Sequence, residues 1–218
     1  RHAHSHLMLF AWATPAVLML MGQSFQHAQV DISGLRRTIR VAMTLGVATF
    51  IPFFHWGYRP AEWENFRLPL SIALSAAIIF TWYALAVWYR RHRNHLELSQ
   101  RQGWDFVMFS MIGCTIGAWL RGVFTALKMS GTIWADGAVQ AFLTMLTDGL
   151  LVGGILVAMA YQASAVLPRS ARGLLFLGLP LSFLAHLHGV PQPFEAIGDV
   201  SSLLFLGGLA LSLKAVRG

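Results

Sequence analysis

Six of the nine histidines are placed so that they could do chemistry together. His2, His4 and His6 open the sequence in RHAHSH, His55 lies in FFHWG, and His186 and His188 lie in AHLHG. Imidazole binds iron, copper and zinc through either ring nitrogen, so a convergence of histidines points to metal or cofactor ligation. If His2–His6 is helical, His2 and His6 share a face and His4 points elsewhere. By the same phase, His186 and His188 diverge and could serve two neighbouring ligands. A simpler reading, that these are interfacial histidines bonded to water and headgroups, explains one of them better than it explains two HxH clusters and His55.

Their convergence depends on the elements that carry them. The sequence is 56% hydrophobic and 11% charged, against roughly 25% charged in soluble domains. Apolar stretches close to the ~20 residues that cross a bilayer recur at about 5–25, 38–56, 68–89, 104–127, 138–162, 173–189 and 197–215. None alternates strictly, so helices rather than barrel strands satisfy the backbone. The expectation is an all-α polytopic transmembrane helix bundle of about seven helices, one domain over 1–218, without linker or repeat. The sequence opens without Met and shows no cleavable signal peptide, so residues upstream of Arg1, even a whole helix, are expected.

Loop charges set the orientation. One face carries Arg36, Arg37, Arg40, Arg90, Arg91, Arg93, Arg101, Arg169, Arg172, Lys214 and Arg217, with Asp31, Glu97 and Asp105 as its acids. The other carries Arg1, Arg59, Arg67 and Lys128 against Glu62, Glu64, Asp136, Glu195 and Asp199. The positive-inside rule puts the first face in the cytoplasm and the six histidines outside, in the periplasm of a bacterial inner membrane. That topology accounts for the +7 net charge without nucleic acid as a partner. The basic run at 88–104 meets anionic lipid headgroups, and His92 and His95 within it are read as solvated loop residues, as is His27. Cys114 is a small packing residue.

Two segments resemble the catalytic subunit of the heme-copper oxidases. AHSHLMLFAWATPAVLMLMG matches its second helix at Ala3, His4, Met8, Phe10, Pro15 and Gly22, and FLAHLHGV is similar to its late Ala-His-Phe-His helix. The smaller NnrS-type membrane heme proteins, which open a helix with His-Ala-His, are also similar. The resemblance implies a low-spin, bis-histidine, b-type heme between His4 and His188, with His186 free to hold a second heme or copper. The family's His-Pro-Glu-Val-Tyr segment and adjacent His-His pair, which build its copper site, are absent. The resemblance therefore implies an electron-transfer or oxygen- or nitric oxide-reacting oxidoreductase subunit of a larger respiratory-type complex, not full oxygen reduction. A c-type cytochrome or another redox subunit would meet it on the outer face.

A heme also needs an apolar sleeve and cations for its propionates. Phe10, Trp12, Phe53, Phe54, Phe176 and Phe183 are sleeve candidates; Arg59, Arg67 and Arg121, with Arg1, are propionate candidates. Arg121 lies within an apolar stretch with no adjacent acid, so pairing with Asp148 competes with propionate binding or proton relay. The alternative is a non-heme copper or zinc site at His2, His6 and His55. Transport is disfavoured because most of the polar convergence lies at one face rather than near the midplane.

Overall fold

The computed structural model describes residues 7–57, 59–63 and 66–217, with only the backbone at 62, 63, 66 and 67. Seven helical segments follow one another: α1 (Leu7–His27), α2 (Ser33–His55), α3 (Leu70–His92), α4 (Leu98–Ala126), α5 (Ile133–Gln162), α6 (Arg169–His186) and α7 (Gln192–Arg217). Between α2 and α3, β1 (Ala61–Trp63) and β2 (Phe66–Leu68) pair antiparallel, with Glu62 opposite Arg67 in the register. All helices except α6 are long and apolar enough to cross a membrane, six in all among the described residues. The protein is an all-α, multi-pass membrane bundle. Helix α6 carries Arg169 and Arg172 in its first turn and changes at Leu179 from α to 3-10 geometry beside Pro180, so it falls short by composition.

The observed helices overrun the apolar stretches. Helix α2 starts at Ser33 and carries Arg36, Arg37 and Arg40 in its opening turns, and α3 continues through Arg90 and Arg91. Long basic side chains can extend from such helix ends to the interface.

Contacts divide the chain into two compact units, residues 1–96 and 97–218. In the first, α1 and α2 run antiparallel and meet at Gly46, where an added methyl would lie 2.9 Å from the Ala11 amide nitrogen. Pro15 follows a π-helical opening of α1 over Leu7–Ala13; proline's missing N–H and its ring's demand for space widen the preceding turn. Phe10 packs on Trp82 at 5.6 Å, and the fully buried Phe25 meets Trp88 edge-on at 4.9 Å.

In the second unit a ladder of small residues joins α4 to α5. Gly103 faces Val157, Gly113 faces Met145, Gly117 faces Ala138 and Phe142, and Gly149 and Gly153 face Ser110 and Phe106. Helices α6 and α7 are joined likewise at Gly178 and Gly208. Lipid is as apolar as leucine, so close van der Waals approach through small residues holds such helices together. Large apolar side chains instead cover the outside, among them Phe54, Leu177 and Leu203 at 68–70% exposure. The helical hydroxyls of Ser24, Thr49, Thr81, Ser110, Thr115, Ser182 and Ser212 donate to carbonyls three or four residues back, which satisfies them without water. Cys114 is buried in the same way, with its thiol directed to the Met111 carbonyl.

The Gly117 seam is testable. Backbone flanks it at 2.5 Å (Ala138 oxygen) and 2.7 Å (Phe142 nitrogen), so Gly117→Ala should cost about 1–3 kcal/mol in detergent unfolding. Gly122, with open space around it, should accept alanine without loss. Equal effects at the two positions would refute the seam.

Asp31 precedes α2 and accepts from the Ser33 hydroxyl at 2.7 Å and the Ser33 amide at 2.8 Å. These bonds, the hydroxyl first, hold its carboxyl below the ordinary 3.8, with His92 and Arg36 adding smaller pulls in the same direction. The ionised form is favoured by folding, so this contribution is present above the ordinary value and fades as pH falls through the lowered one. Carboxyl-carbon NMR should show Ser33→Ala moving the Asp31 titration back up; an unmoved midpoint would refute the assignment.

Candidate functional site

The site is built from helix ends. In the first unit, α2 continues three residues beyond Pro52 and stops at His55, where Gly57 takes a left-handed turn at φ 58°. His55 is exposed, with Phe54 edge-on at 5.3 Å and Trp56 tilted at 5.5 Å. Arg59 is exposed four residues on, its amide donating to the Trp56 carbonyl. The first residues of α1 lie at this same end, because Ala11 abuts Gly46 in the antiparallel pair. His2, His4, His6 and Arg1, and the side chain of Arg67, lie outside the described residues.

The opposite end of this unit holds His27 and His92, each with Nδ1 against the carbonyl four residues back at 2.8–2.9 Å. His95 bonds the His92 carbonyl, and His92 stacks on Trp88 at 4.7 Å. These three are not loop residues as the sequence suggested: His27 and His92 are the last residues of α1 and α3, and His95 lies in the 3-10 turn Arg93–His95 that follows α3.

In the second unit, α6 ends at His186. The expected divergence of His186 and His188 by helical phase does not hold, because the helix stops between them: Leu187 is extended at φ −101°, ψ 105°. Its side chain turns inward, 3.2 Å from where a Cβ on Gly137 of α5 would stand. Gly189 then reverses the chain at φ 83°, a conformation that strongly favours glycine. With Leu187 anchored, His186 and His188 are both left exposed. Neither ring makes a hydrogen bond among the described residues.

Arg121 belongs to the same end of this unit. Its Nη1 donates to the Ser130 carbonyl at 3.0 Å, tying α4 to the loop that enters α5. Asp148 instead accepts from Thr147 at 3.1 Å, and no Arg121–Asp148 ion pair forms among the described residues. Rise along the helices explains this. Arg121 is five residues from the end of α4 and Asp148 fifteen from the start of α5, which at ~1.5 Å per residue separates their backbones by about 15 Å in depth. Asp148 lies instead in a π-helical stretch of α5, Met145–Val152, near the helix midpoint and easily overlooked in sequence.

The aromatic candidates divide. Phe10 and Phe53 are buried in the first unit, whereas Trp12 and Phe54 are exposed. Phe176 packs on Phe106 and Phe109 at 5.2–5.3 Å, and Phe183 lies near Gly137. Among the described residues no three His, Cys, Asp or Glu side chains converge to hold a metal ion.

Comparison with protein-family models, curated proteins and solved structures finds no match.

Gly189→Ala should disturb the turn after His188 at a cost of about 1–3 kcal/mol, seen as a lower Tm in detergent. An unchanged Tm would mean that the turn does not constrain His188.

Proposed function

We propose that this is a membrane heme protein in which His4 and His188 are the axial ligands of a low-spin b-type heme. The observation that carries the reading is the His186-Leu187-His188 terminus of α6. Both imidazoles are exposed and without hydrogen bonds among the described residues, on a segment fixed by the Leu187 anchor and the Gly189 turn. An available ring nitrogen on a rigid segment is what an axial ligand requires. The likeness of residues 3–22 and 183–190 to the two ligand helices of heme-copper oxidases supplies the choice of heme and of His4 as the second ligand.

In this reading His186, with His2, His6 and His55, holds a second heme or copper, and Arg59, Arg67 and Arg121 answer the propionate charge. Heme would supply one-electron transfer, or oxygen or nitric oxide binding if one axial position opens. The chain would serve as an oxidoreductase subunit of a respiratory-type complex in a bacterial inner membrane. Its histidine face is periplasmic, toward a c-type cytochrome or similar redox partner.

The purified protein should show a Soret band, with sharp α and β bands on reduction. His4→Ala or His188→Ala should abolish the low-spin spectrum, and His186→Ala should retain it. No Soret band in protein purified from heme-replete cells, or copper without iron in elemental analysis, would overturn the reading.

A further inference from the structure

At the end of the second unit opposite His186, the first turns of α4 and α6 and the last turns of α5 enclose a shallow recess. It is lined by Phe106, Leu156, Val157, Leu167 and Phe176, with Gln102 and Arg172 as its polar groups. The Nε of Arg172 is buried there without a hydrogen-bond partner among the described residues. A guanidinium has five donors and no acceptor, and no carboxylate lines the recess to receive one. The room available is that of about one water molecule, or one oxygen atom.

The surroundings are cationic and greasy at once. Arg169, Lys214 and Arg217 are exposed at this end, with Arg101 beside Gln102; Glu97 and Asp105 are the nearby acids. Antiparallel packing of α7 on α6, with Gly208 against Ala171 and Leu175, brings Lys214 toward the level of Arg169. Leu98, one helical turn before Gln102, and Val166, next to Leu167, add exposed apolar surface at 59% and 66% exposure.

We propose that this recess binds an anionic phospholipid. One phosphate oxygen enters the recess onto the Nε edge of Arg172, a second meets an outer nitrogen of the same fork, and Arg169 and Lys214 neutralise the remaining charge. The paired N–H groups of arginine match two phosphate oxygens in a way a lysine cannot. The exposed Leu98 and Val166 favour a lipid over a free anion, because they offer acyl chains a surface beside the headgroup. The site lies at the far end of its unit from His186 and His188 and does not depend on their binding heme.

The test is thermal unfolding of the purified, delipidated full chain in a neutral detergent, with added phosphatidylglycerol, phosphatidylcholine or inorganic phosphate. Phosphatidylglycerol should raise the Tm above the phosphatidylcholine value, and inorganic phosphate should not. Arg172→Leu should remove that difference, Arg172→Lys should keep part of it, and Arg217→Gln should leave it intact. Should Arg172→Leu fail to fold, Gln102→Leu and native mass spectrometry of retained lipid on the wild-type protein replace it. A wild-type protein that does not distinguish the two lipids, an equal rise with inorganic phosphate, or an Arg172→Leu or Gln102→Leu variant that responds like wild type would each overturn the site.

Discussion

In the hydrocarbon of a bilayer, no water is available to a backbone amide or a side-chain hydroxyl, and nothing drives one apolar helix onto another. Most features of this protein answer that constraint. Seven buried serine and threonine hydroxyls turn back on their own helices. Glycine and alanine line the closest helix seams, while many phenylalanines, leucines and valines face outward beside those that fill the core. Where the constraint relaxes, at the helix ends, the chain places its arginines, histidines and left-handed turns.

The architecture was legible in the sequence because hydropathy and length are what a bilayer selects. Each expected stretch corresponds to a helix. The ends were less legible: apolar content marks where lipid begins, whereas the Ser33 and Arg90–His92 turns continue the helices into the charged interface. Helix α6 shows the limit of the method. Its apolar residues suggested a span, but Arg169 and Arg172 at its start and the change of geometry at Leu179 set it apart from the other six.

The candidate site was legible in residue type and not in geometry. That His186 and His188 matter could be read from their spacing; that a helix ends between them could not, because Leu187 owes its inward turn to a glycine fifty residues earlier in α5. Arg121 and Asp148 looked like partners because both are ionisable residues in apolar stretches. Counting residues from the two helix ends would have placed them at different depths. The unpartnered Nε of Arg172 had no sequence signal, since it arises from three helices meeting around one side chain.

The π-helical stretch in the middle of α5 has a consequence for how the protein tolerates change. A π turn holds an extra residue relative to an α turn, so removing one residue between Met145 and Val152 would restore a regular helix. Kept at its present length but wound as a regular α-helix, the stretch would instead rotate everything beyond by about 100°. Gly153 would swing away from Phe106 and Val157 away from Gly103, unfastening the lower half of the α4–α5 seam while leaving Gly117 and Ala138 in register. The π geometry of this stretch is therefore what keeps the two halves of α5 facing the same neighbour.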